Sequence, residues 1–148
     1  MKRDIQFART IETPYERVRD RLRDEAAALF GGAGPPLRTT LAARLRGTEI
    51  SRDVTVEIIG YDEPHAEAVG AHLMFSADAA LHGELFPHLE ARIDAIPVAD
   101  ERTSLALIAT YKPPLGVIGG AVDTLGLHHL AEHSLGDLFE RIVSGLEG

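Results

Sequence analysis

A change of hydrophobic period divides this chain and constrains its fold more than any other feature. From Leu37 to Tyr111 apolar residues recur on every second position, whereas after Gly120 they recur every third and fourth. The second pattern is the stripe Ala121, Thr124, His128, Ala131, Leu135, Leu138, Ile142 and Leu146, with Glu140 and Arg141 on other faces. About 30 residues at ~1.5 Å each predict a helix near ~45 Å, long enough to cross a whole domain. Such a rod must lay its apolar side against something, and the alternating segments before it supply the surface.

Those segments read as strands. Ile5, Phe7 and Ile11 alternate, with Arg9 as the polar interruption, and predict a first strand. Thr13-Pro14-Tyr15-Glu16 then reads as a helix start, with Thr13 as cap and Glu16 reaching back to it. Tyr15, Val18 and Leu22 keep helical spacing, and the Ala-rich run from Glu25 to Phe30 extends it until the Gly31–Pro36 joint. Leu41, Ala43 and Leu45 open the next strand, and Val54, Val56 and Ile58 form another before the turn Tyr61-Asp62-Glu63-Pro64. Val69 to Phe75, Leu89 to Ala95 and Thr103 to Tyr111 continue the series. Strands in succession without intervening helices pair as antiparallel hairpins. The expected fold is therefore α+β: a curved antiparallel sheet of about six to seven strands, two short helices after the first, and a long C-terminal helix packed across the sheet.

At 148 residues the chain reads as one domain over 1–148. Lys and Arg number 15 against 23 Asp and Glu, and the resulting net charge of −8 repels phosphate backbones and anionic membrane surfaces. Nucleic acid is not an expected partner. The absence of cysteine removes disulfides, thiolate metal sites and a Cys nucleophile, and suits a reducing compartment. Basic residues near Met1 precede no apolar core of a leader, and no stretch approaches the ~20 apolar residues of a membrane span, so the expected location is cytoplasmic without stable membrane insertion.

The order strand, two short helices, antiparallel strands and terminal helix resembles the START-like or SRPBCC helix-grip superfamily, from end to end of the chain. The likeness is sharpest at Leu85-Phe86-Pro87, at Arg102-Thr103-Ser104-Leu105, and at Tyr111-Lys112-Pro113-Pro114-Leu115-Gly116 running into Gly119 and Asp123. The last stretch resembles the strand-to-helix junction of uncharacterised bacterial members labelled polyketide cyclase-like. The resemblance implies a sheet wrapped around the terminal helix and a cavity that in relatives holds lipids, sterols or polyketides. It implies no shared catalytic residues, because fold alone does not set function.

The residues themselves are compatible with such a cavity. Ala43, Ala71, Ala91, Ala95 and Ala109 lie among the large aliphatics of the strands, and Ala121, Thr124 and Ala131 lie on the helix stripe opposite. Small residues facing small residues either bring helix and sheet close or leave a pocket. His128 sits on the stripe itself, where a buried imidazole must find a hydrogen-bond partner. It reads either as a satisfied core histidine or as a ligand contact working with Thr124 and Tyr111. Ala131 and Leu135 would wall the same site, and Arg9 would join it if its side chain turns inward. His72 and His88 fall opposite the aliphatic face and are expected outside. No catalytic residue is assigned.

Two motifs are set aside. His129-Leu130-Ala131-Glu132-His133 has the H-x-x-E-H order of inverted zinc peptidases. Too little chain follows His133 to bring the third ligand that family uses, and ~100° per residue turns His129 and His133 away from the stripe. No metal or other cofactor is expected. Gly116-Val117-Ile118-Gly119-Gly120 lacks the Lys-Ser/Thr of a phosphate loop. Asp62-Glu63 and Asp100-Glu101 read as solvated turns. The functional expectation is a carrier or sequestering protein for an apolar small molecule, as monomer or weak homodimer. The alternatives are a cyclase- or dehydratase-like enzyme using His128 and Tyr111, and a module that binds a protein partner.

Overall fold

Strands joined without crossover helices should lie beside their sequence neighbours, and five of the six do. The structure, a computed structural model, describes residues 3–32, 34–45, 47–63, 70–80, 88–112 and 124–148, with the side chains of 3, 43–45 and 124–127 excepted. Strand β1 (Arg3–Ile11) is followed by helices α1 (Tyr15–Asp24) and α2 (Ala26–Leu29). Then come β2 (Leu37–Leu45), β3 (Thr48–Asp62), β4 (Ala71–Ala79), β5 (His88–Ala99), β6 (Arg102–Lys112) and helix α3 (Thr124–Glu147). All pairings are antiparallel in the order β1-β6-β5-β4-β3-β2, so β1 crosses over to close the sheet beside β6. The six strands curl into a half-barrel.

Register sorts the side chains cleanly. Ile5, Phe7 and Ile11 share a face with Leu105, Leu107, Ala109 and Tyr111, with Leu89, Ala91, Ile93 and Ala95, and with Ala71, Leu73, Phe75 and Ala77. This inner face holds the core, and its central alanines are all buried. Ala43 has its side chain outside the described set, and Ala121 lies outside the described residues.

Helix α3 is described over 24 residues, roughly 36 Å, and 121–123 lie outside the described residues. Its backbone approaches chiefly β2 and β1, the two edge strands, so it bridges the mouth of the trough. On the β1 side Phe7 and Phe139 stack with ring centroids 5.8 Å apart, and Arg9 pairs with Glu140. On the β2 side the Ala42 N–H donates to Asp137 (3.2 Å) and Arg141 donates to the Thr40 carbonyl (2.7 Å). An acid and a base one turn apart thus bond the free edge of β2 as another strand would. Arg141 and Thr39 also donate to the Phe30 carbonyl, each at 3.0 Å, which ties α2 to the same corner.

One local expectation is corrected. Pro14, with φ −59° and ψ 143°, occupies the N-cap of α1, so Thr13 is not the cap and no side chain bonds there. Thr13 is instead buried and its carbonyl accepts from Thr103 Oγ1 at 2.7 Å. Glu25, with φ −128°, separates α1 from α2, the two short helices expected after the first strand. The stretches 85–87, 113–120 and 121–123, which carry much of the family resemblance and the glycine-rich phosphate-loop motif, lie outside the described residues.

Candidate functional site

The inner face of β6 ends in Tyr111, a phenol among aliphatics, because the strand's odd positions all point inward. Tyr111 is 2% exposed. Its hydroxyl lies 3.0 Å from His128 Nδ1 on α3, with ring centroids 5.8 Å apart. The other ring nitrogen, Nε2, lies 3.3 Å from Glu132 Oε2, one helical turn further on. A line of three polar groups therefore runs from the buried phenol through a partly exposed imidazole (side chain 28% exposed) to a carboxylate at the surface (48%).

The roles within this line follow from the tautomer. With the ring hydrogen on Nε2, the side facing Glu132, Nδ1 is an acceptor and the Tyr111 hydroxyl donates to it; with the hydrogen on Nδ1 the phenolic oxygen accepts.

The structure brings together two of the residues singled out from sequence, Tyr111 and His128. Ala131 and Leu135, the next inward positions on α3, are fully buried core residues. Thr124 begins α3 one turn before His128, and its side chain lies outside the described set. Arg9 has the inward register of β1, but its guanidinium is at the rim, 43% exposed and engaged by both oxygens of Glu140. Glu140 is 12 residues beyond His128, roughly 18 Å along the helix, so Arg9 is held away from the Tyr111–His128 pair.

The remaining histidines take the outer surfaces. His129 and His133 are exposed on the far side of α3. His72 bonds Asp94 on the outer face of the sheet, where Arg92 also reaches Asp94 at 2.7 Å. It is half-buried rather than exposed, because its cross-strand neighbour Asp94 is itself buried. His88 sits between Asp78 (2.6 Å) and Glu90 (3.4 Å). The member that sequence reasoning missed is Glu132. Its signal was the four-residue spacing from His128, which the overlapping H-x-x-E-H motif obscured.

No family model matches the chain, and no curated protein matches it in sequence. Among solved structures it is similar to Ara h 8.0201, with a TM-score of 0.55 and 13% identity over 99% of this chain and 98% of that one. It is similar to the Zhui aromatase/cyclase from Streptomyces sp. R1128, with a TM-score of 0.54 and 15% identity over 99% and 94% of the two chains. It is also similar to the lipid transfer and protein localization domain of human StarD13, with a TM-score of 0.57 and 14% identity over 97% and 76%. These similarities are of fold: the chain shares with these proteins the arrangement of a curled antiparallel sheet, two short helices and a C-terminal helix. Among the described residues no helix is long and apolar enough to cross a membrane.

Proposed function

We propose that this protein binds a neutral, largely apolar small molecule between the sheet and α3, as a carrier or sequestering protein. The observation that carries the reading is the Tyr111–His128 pair at the end of an otherwise aliphatic inner face. One paired polar spot in an apolar lining orients a ligand that has one oxygen function. Glu132 beside His128 and the net charge of −8 disfavour an anionic head. Ala131 and Leu135 are the next inward positions on α3 and Thr124 lies one turn before His128 on the same helix, while Arg9 stays at the rim. Relatives of the same fold include a domain named for lipid transfer and an aromatase/cyclase, which fits an interior adapted to apolar molecules.

The test is titration with the neutral dye N-phenyl-1-naphthylamine, followed by displacement with decanol or decane. The expected result is saturable dye binding near one per chain and a preference for the alcohol that Tyr111→Phe or His128→Ala reduces by about tenfold, the worth of one good hydrogen bond. A flat titration ends the proposal.

The Tyr111–His128–Glu132 line also favours a second reading, acid–base chemistry on a polyketide-like substrate. The phenolic oxygen would take a proton from a carbon between two carbonyls as its own passes to Nδ1, while the Nε2 proton moves to Glu132 and the enolate keeps the charge. Solvent deuterium entering a bound 1,3-diketone, and lost in Tyr111→Phe, would select this reading over a carrier.

A further inference from the structure

Strand β3 outruns its partner on one side. It continues to Asp62, but β2 pairs with it only as far as Val56, opposite Leu37 at the start of β2. Residues 58 and 60–62 pair with β4 along one edge, and among the described residues no element hydrogen-bonds 57–62 along the other.

The sequence dictates where the pairing stops. Extending the register would set Pro36 opposite Glu57 and Pro35 opposite Ile58, and a proline has no N–H to donate. The chain turns at 34–36 instead. The joint is anchored before that turn, because Arg141 and Thr39 hold the Phe30 carbonyl and Gly32 packs so close to β2 that a Cβ would lie 2.3 Å from the Arg38 carbonyl.

The edge left over is apolar in its middle and acidic at its ends. Ile58 is 39% exposed and Ile59 is 62% exposed, the latter at the bulge that interrupts the register with β4. A bulge twists an edge locally, so this one suits a short added strand better than a second sheet. Glu57 and Asp62 are both exposed, and neither has an ion pair among the described residues. Glu63, just beyond, is already engaged by Tyr61 and Arg19. Beside Ile58, between α2, the joint and β3, opens a cleft of about 530 Å³ lined by Ala27, Ala28, Pro35, Leu37 and Val56 together with two glycines. No charged side chain lines it.

Backbone donors and acceptors along an open edge, with room for apolar side chains next to them, are what strand addition uses. A second copy is a poor occupant. Antiparallel self-pairing about the middle of 57–62 sets Glu57 of one chain opposite Asp62 of the other, and like charges directly opposite are destabilising. We infer that residues 57–62 are a docking edge for an extended peptide segment of another protein, apolar at its centre and basic at each end. The segment runs antiparallel to β3 in line with β2, turns alternate apolar side chains into the cleft, and sets its basic ends against Glu57 and Asp62. This site is separate from the Tyr111–His128 spot.

The probe is a fluorescein-labelled peptide amide, Gly-Lys-Val-Thr-Val-Leu-Lys, titrated with the protein and followed by fluorescence anisotropy. The expected result is saturable one-to-one binding that falls by tenfold or more when Glu57→Lys and Asp62→Lys are combined. Ala28 is exposed on α2, so Ala28→Trp fills the cleft without entering the core and should cost as much. Backbone N–H groups of a strand point alternately to its two edges, so N-methylating the peptide at odd or at even residues separates the edge that docks from the edge that does not. One methylated peptide should lose binding by tenfold or more and the other should stay within about twofold of the parent. Equal affinities of the two methylated peptides overturn strand addition, whatever the protein variants do. No binding of the parent peptide by wild type overturns the docking edge outright, and so does equal affinity for a peptide with Glu in place of both Lys. A dimer that forms in wild type and is dissolved by Ala28→Trp, seen by sedimentation, overturns it by assigning the edge to a second copy.

Discussion

Two histidines have a carboxylate beside the imidazole. At His128 the carboxylate of Glu132 lies 3.3 Å from Nε2, and the Tyr111 hydroxyl lies 3.0 Å from Nδ1. At His88 the hydrogen bond that its ring N–H donates to Asp78, supported by the charges of Asp78 and Glu90 and opposed by partial burial, raises the pKa above the ordinary imidazole value. A raised folded-state pKa contributes stability that is fully present below the unfolded value of ~6.5 and is lost as pH rises through the folded value. The expected outcome is that the urea midpoint falls as pH is raised from about 6 to about 8 and that Asp78→Asn flattens this slope. With the His88 side chain 37% exposed, solvent screening limits the effect to roughly a few tenths of a kcal/mol. A wild-type slope of the opposite sign would show that this pair does not govern the titration. At this scale the sequence was legible where parity sufficed. Tyr111 and His128 lie at inward positions of a strand and a helix, and both point inward. Arg9 was harder, because parity tells which face a side chain leaves from and not how far along the trough its long stem carries the charge.

Elements were legible in proportion to how unequal their two faces are. β6 buries every second residue and was read with its ends nearly correct. β3 runs from Thr48 to Asp62, far beyond the Val54–Ile58 core of its pattern, since Glu49, Ser51 and Asp53 are exposed and Ile50 and Arg52 only partly covered. A strand without a buried face has no period-two signal. The seat of α3 depends on glycines whose role no pattern could assign. A Cβ on Gly136 would lie 3.5 Å from the Phe7 ring, an ordinary contact, whereas one on Gly145 would lie 2.9 Å from Leu29 Cδ2. Gly136→Ala is therefore expected to raise the unfolding free energy by about 1 kcal/mol through helix propensity and the added contact. Gly145→Ala should gain less than half as much, because Leu29 has to move aside. Urea denaturation of the two variants measures the difference. A loss of stability in Gly136→Ala would mean that helix and strand are seated more tightly there than these distances allow.

Across the whole molecule the arginine clamps on the described side chains of α3 gather in its second half, and this bears on how an interior beneath it is reached. In its second half Leu138, Phe139, Ile142, Val143 and Leu146 are all buried, Arg141 grips β2 and α2, and Arg21 of α1 donates to the Gly145 carbonyl. Among the described side chains of its first half Leu130, Ala131, Ser134 and Leu135 are buried, with His128 bonded to Tyr111 and partly exposed and no arginine clamp. Buried apolar contact and side-chain clamps raise the free energy of local opening, so the two halves should exchange their amides at different rates. Amides of 128–133 are expected to exchange faster than those of 138–146 in the free protein. A ligand seated at Tyr111–His128 stabilises only those openings that release it. Saturating decanol should therefore slow exchange at 128–133 by tenfold or more and change 138–146 by less than about twofold. Hydrogen–deuterium exchange followed by NMR or mass spectrometry reads both segments in one experiment. Equal slowing in the two halves would mean that α3 opens only as a unit.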